Sequence, residues 1–133
     1  MTSLKFALVV YGAPYSSEGC LSALQFAEAV IAEGHEILRV FFYHDGVYTA
    51  NSLTNPPQDE PDIGTLWQEF GLEYDLDMVV CIASCLRRGI IDAKEATRHE
   101  KFSANLRPGF TISGLGQLVE ASLNADRVVT FGH

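Results

Sequence analysis

The sequence predicts an α/β fold, a three-layer sandwich in which helices flank a mainly parallel sheet of four or five strands, flavodoxin-like in appearance. Three observations predict it. Near-continuous apolar runs rich in β-branched residues read as strands covered on both faces. Segments with helical periodicity alternate with those runs. The chain up to Gly46 also runs strand, helix, strand, the order of a crossover unit, which places its two strands parallel.

Each element has its own signal. Lys5 to Tyr11 is an apolar run that ends at the turn signal Gly12-Ala13-Pro14. From Ser17 to Glu33 the period becomes helical, with Cys20, Ala23, Leu24, Ala27 and Ile31 on one face and Gly34 as the stop. Ile37 to Tyr43 is the second strand and breaks at His44-Asp45-Gly46. Residues 49–61, rich in Asn, Pro and small polar side chains, form a surface loop that could also contact a partner. A helix over Asp62 to Phe70 carries Ile63, Leu66, Trp67 and Phe70 on one side. Met78 to Ile82 is the third strand and leaves Cys81 near its carboxyl end. Asp92 to His99 is weakly helical, and Ser103 to Gly109 is loop. Ser113 is the expected N-cap of a helix with Leu115, Leu118, Val119 and Leu123 on one face, and Arg127 to Phe131 is the final strand.

Composition narrows the class of function. The chain has 133 residues, enough for one domain, 1–133, with a core that needs neither disulfides nor metals. Hydrophobic residues make up 47% and charged residues 20%, which is ordinary for a globular protein. A net charge of -8 repels a phosphate backbone, so no direct nucleic-acid partner is expected. Neither a secretory signal nor a membrane-spanning run is evident, and the expectation is a cytoplasmic protein with no membrane association. Cys20, Cys81 and Cys85 are too few for a disulfide framework, which agrees with a reducing compartment.

Sites in open parallel sheets collect beyond the carboxyl ends of strands, and Cys81 falls in that zone. Its residue type leaves two readings, a buried core thiol or a nucleophile. If the Ala83 to Leu86 segment starts a helix, its amides favour a thiolate, and Arg87 and Arg88 add positive charge or are simply solvated. Cys85 is either an inert thiol in an alanine-sized site or a second sulfur carrier, and Cys20 belongs to the core. The Cys-x3-Cys pair lacks a second pair of ligands, so no metal is expected. His44-Asp45 resembles a catalytic pair but suits a turn better. Gly114 and Gly116 could cradle a phosphate, yet the dinucleotide-binding pattern is absent and packing is the better reading. A flavin or nucleotide is suggested by topology alone, and no cofactor is expected.

Several segments in fixed order complete the picture: Phe41-Phe42-Tyr43-His44-Asp45-Gly46-Val47, Cys81 followed by Leu86-Arg87-Arg88-Gly89, Ile112 to Ala121, and Ala125-Asp126-Arg127-Val128-Val129. Together these make the chain resemble the TusD/DsrE family over nearly its whole length, with wording slightly closer to the DsrE branch. The resemblance implies the DsrE/F-like fold and a sulfurtransferase subunit that carries sulfur as a persulfide on Cys81, the position matching the family's acceptor cysteine. It also implies a heterohexamer with TusC/DsrF-like and TusB/DsrH-like subunits, a TusA-like sulfur donor and a TusE/DsrC-like acceptor. The sulfur would end in tRNA 2-thiouridine or pass through dissimilatory sulfur oxidation. Cys85 departs from the family, which usually has a small apolar residue there. The alternative is a scaffolding or binding subunit of the same complex without chemistry of its own.

Overall fold

A computed structural model describes residues 2–133. Five parallel strands form one sheet in the order β4-β3-β2-β1-β5. They are β1 (Lys5–Val10), β2 (Glu36–Phe42), β3 (Met78–Cys81), β4 (Phe110–Ser113) and β5 (Arg127–Phe131). The helices are α1 (Gly19–Ala32), α2 (Ile63–Glu73), α3 (Ile82–Arg87), α4 (Ala93–Arg98) and α5 (Gly116–Asn124), and a 3-10 segment covers His44–Ala50. The expected α/β sandwich and its parallel sheet are present.

Period-two alternation along the strands assigns each side chain to one of two faces. Leu8, Val10, Val40, Phe42, Met78 and Val80 share one face and meet Ala23, Leu24 and Ala27 of α1 and Trp67 of α2. That is the main core. Trp67 stacks edge-on against Phe42 at 5.3 Å, and its indole N–H donates to the Cys20 carbonyl at 3.1 Å, so its one polar atom is paired although the residue is fully buried. The opposite face carries Phe41, Val79 and Cys81 under α5. Burying side chains on both faces explains why β3 reads as an uninterrupted apolar run.

One expectation at the C-terminal end is corrected. Ser113 is not a helix cap: it is the last residue of β4, paired with Cys81, and α5 begins at Gly116 after Leu115, which makes no side-chain capping bond. The strand went unseen because it is only four residues long and stands between Gly109 and Gly114. Of the apolar face of α5, Leu115, Val119 and Leu123 are exposed and Leu118 is half-buried, and only Ala121 of this helix is fully buried. Phe41, Phe42 and Trp67 are all buried, whereas Tyr48 is exposed.

No helix among the described residues is long and apolar enough to cross a membrane.

Candidate functional site

Cys81 ends β3 and is at once the N-cap of α3, with extended backbone angles of -63° and 125°. The strand is fully buried along its length, and alternation points Val79 and Cys81 toward α5 while Met78 and Val80 point into the main core. Cys81 therefore packs with Phe41 and Val79 beneath two half-buried side chains, Tyr43 and Leu118. The residue is 2% exposed. Tyr43 follows Phe42, which pairs with Val80, so it stands beside Cys81 across the strands. Leu118 reaches down from α5.

The turn after β2 is clamped to α3. His44 sits in the left-handed region at φ 47°, a conformation that costs a bulky residue about 1–2 kcal/mol, and its backbone N–H donates to the buried Ser84 hydroxyl at 3.1 Å. Asp45 accepts from Arg88 Nε at 2.9 Å, and Arg88 also donates to the Ser84 carbonyl at 3.1 Å. A Cβ on Gly46 would collide with the Val10 carbonyl, so glycine is required for this close approach. His44 and Asp45 thus serve the turn, and Arg88 is committed to them. Arg87 lies exposed in the last turn of α3 without an ion pair among the described residues.

All three cysteines are free and buried. Cys85 packs into the main core, on the other side of the sheet from Cys81. Burial, with the nearby Cys81 charge adding to it and Arg88 opposing it, pushes its thiol up to about 12. Cys20 is raised to about 11 by burial, partly offset by its hydrogen bond to Thr49 at 3.1 Å. Neither is a thiolate near neutral pH. Among the described residues no three His, Cys, Asp or Glu side chains gather as metal ligands. Gly114 and Gly116 were expected to be small for packing, but a Cβ at either would meet nothing within 4 Å.

Tyr43, Ser84 and Leu118 were not singled out from the sequence as site residues. Tyr43 was within reach, because it shares the period-two face of Phe41 next to the strand bearing Cys81.

A family model described as DsrE/DsrF-like matches residues 4–131. The chain belongs to the DsrE/DsrF-like family. Among its relatives, the DsrE protein of Allochromatium vinosum, only provisionally named a sulfurtransferase, is 54% identical over 97% of this chain and 99% of its own. Sulfurtransferase TusD of Salmonella typhi is 52% identical over 96% of this chain and 100% of its own. Those two identities do not separate one branch from the other. The crystal structure of the YchN protein of E. coli superposes with a TM-score of 0.78 at 25% identity, covering 96% of this chain and 99% of that one. A protein of unknown function from Bacteroides thetaiotaomicron shares the fold, with a TM-score of 0.58 at 14% identity.

Proposed function

We propose that this DsrE/DsrF-like chain is a sulfur-relay protein that takes sulfur as a persulfide on Cys81 and hands it to an acceptor protein. The observation that carries the reading is the place of Cys81: the last residue of a central strand, capping α3, in a chain 52% identical to a protein named as a sulfurtransferase. In the first step the Cys81 thiolate attacks the outer sulfur of a donor persulfide. A new S–S bond forms to Cys81, the donor's S–S bond breaks, and the donor leaves as a thiolate. In the second step an acceptor thiolate attacks that same outer sulfur and Cys81 leaves as a thiolate. The exchange is neutral in electrons, so no redox cofactor is required.

Burial suits storage but not delivery. Phe41, Val79, Tyr43 and Leu118 shield a held sulfur from stray thiols, and attack from outside requires Tyr43 or Leu118 to give way. The family suggests where the partners come from: TusC/DsrF-like and TusB/DsrH-like subunits in a heterohexamer, a TusA-like donor and a TusE/DsrC-like acceptor, all in the cytoplasm. The exposed stripe of Leu115, Val119 and Leu123 supports membership of an assembly, since such a row is costly to leave in water.

The 2% exposure of Cys81 also favours a second reading, a scaffolding subunit without chemistry. One experiment separates the two. Incubation with a persulfide-loaded donor should add about 32 Da to Cys81, seen by intact-mass and peptide mass spectrometry, and Cys81→Ser should abolish the gain. Loading of the serine variant at the wild-type level would end the relay reading, and a wild-type protein that never loads in the assembled complex would establish the scaffold.

A further inference from the structure

Charge is distributed unevenly over this acidic molecule. From Arg87 to Lys101 there are five cations against three carboxylates, whereas the rest of the chain has four against fourteen. Arg88 is taken by Asp45, and Arg98 lies 3.6 Å from Glu95. Arg87, Lys94 and Lys101 are exposed and form no ion pair among the described residues.

Within this basic segment lies an open cavity of about 530 Å³ between α3, α4 and the residues that follow α4; Lys101 lines it, and Arg87 is the next residue after its lining residue Leu86. Leu86, Ile91 and Phe102 give it apolar walls, and His99 and Lys101 are its polar edge. Phe102 is fully exposed, an unusual position for a phenylalanine with nothing to cover it. His99 Nε2 lies 3.2 Å from the buried Glu95 carboxylate, whose Oε2 has no hydrogen-bond partner. The volume is in the range of sites that bind small ligands or a few side chains. The cavity is also tied to the cysteine: Leu86 belongs to the short helix that Cys81 caps, about 7–8 Å further along its axis.

We propose that this cavity receives an acidic peptide segment of a partner protein, with one apolar side chain seated against Leu86, Ile91 and Phe102 and flanking carboxylates facing Lys101, His99 and Arg87. Charge complementarity selects the occupant, since the basic segment attracts anions whereas the remaining surface repels them. A long polyanion such as RNA would extend from there onto the acidic surface and be repelled, but a short segment with a few carboxylates would not. Docked here, the partner lies within one helix length of Cys81, a role in sulfur delivery that rests on the relay reading.

The test uses the full chain and a fluorescein-labelled decapeptide with one Leu flanked by Glu and Asp, followed by anisotropy. Three controls accompany it: the same peptide with Gln and Asn, the same with Ala for Leu, and an RNA decamer. The acidic peptide should bind at least fivefold tighter than each control, weaken as salt rises, and lose at least fivefold with R87E/K101E. These residues are exposed, so that variant should keep the wild-type Tm. No binding, equal binding of the neutral peptide, tighter binding of RNA, or an unaffected double variant would each overturn the assignment. Loading of Cys81 from glutathione persulfide is measured on the same samples. Normal loading with no peptide preference defeats the docking surface alone, whereas peptide binding by a wild type that also fails to load in the assembled complex defeats the relay alone.

Discussion

Leu118→Ala removes one of the two side chains that cover Cys81 without touching the sheet. A fully buried Leu→Ala change costs about 2–5 kcal/mol, and a half-buried side chain on an outer helix should lose less, about 1.4 kcal/mol. If opening of the α5 cover means breaking the Leu118 contact, that energy raises the open population about tenfold. Alkylation of Cys81 by iodoacetamide, read by peptide mass spectrometry, should therefore speed up about tenfold, with a Tm drop of about 4–6 °C. Cys20 and Cys85 serve as internal controls, because both are fully buried and their thiols are raised to about 11 and about 12. Unchanged Cys81 labelling in the variant would refute the cover. Equal acceleration at all three cysteines would also refute it, since that signals global rather than local opening.

Two further perturbations test other parts of the site. Arg39 of β2 ties α5 to the sheet by donating to the Gln117 carbonyl at 2.8 Å and is itself held by Asp77, just before β3, at 2.7 Å, so Arg39→Ala should cost about 1–2 kcal/mol and speed amide exchange in α5 while leaving β1 to β3 protected. Cys20 and Cys85 have folded-state values above the ordinary thiol value of 9.0, so their contribution to stability is complete below about pH 9 and is lost as pH rises toward 11–12. Within that window Cys85→Ala should flatten the fall of stability with pH by up to about 1.4 kcal/mol per pH unit, measured by urea unfolding. The same variant should load sulfur at the wild-type rate, and a loss of loading would show that Cys85 takes part.

Strands β1 and β3 were legible because Phe6 to Val10 and Met78 to Cys81 leave no polar interruption, and β2 was legible despite Arg39 because its other residues from Ile37 to Phe42 are apolar. The site was partly legible: chain position alone put Cys81 at the carboxyl edge. Its cover was not, because whether Leu118 reaches Cys81 depends on how α5 lies across the sheet, a long-range contact with no local signal. The stripe from Leu115 to Leu123 shows the same limit. Helical periodicity reports that one face avoids water, but it does not say whether the chain itself or another molecule covers that face. Ser113-Gly114-Leu115-Gly116 has the letters of a capped helix start, but pairing with β3 decides the conformation there. Cys20 needed no structure, since its place in a helical apolar repeat already put it in the core.

The strand order has a consequence for biosynthesis. β1 lies between β2 and β5, so Phe6 finds one neighbour, Arg127, only when nearly all of the chain has been made. Until then one edge of β1 is bare, and an unpaired edge of Lys5 to Val10 is a template for other emerging chains. Such distant pairing slows folding, and shortening the protein by its final strand should make it clump rather than fold.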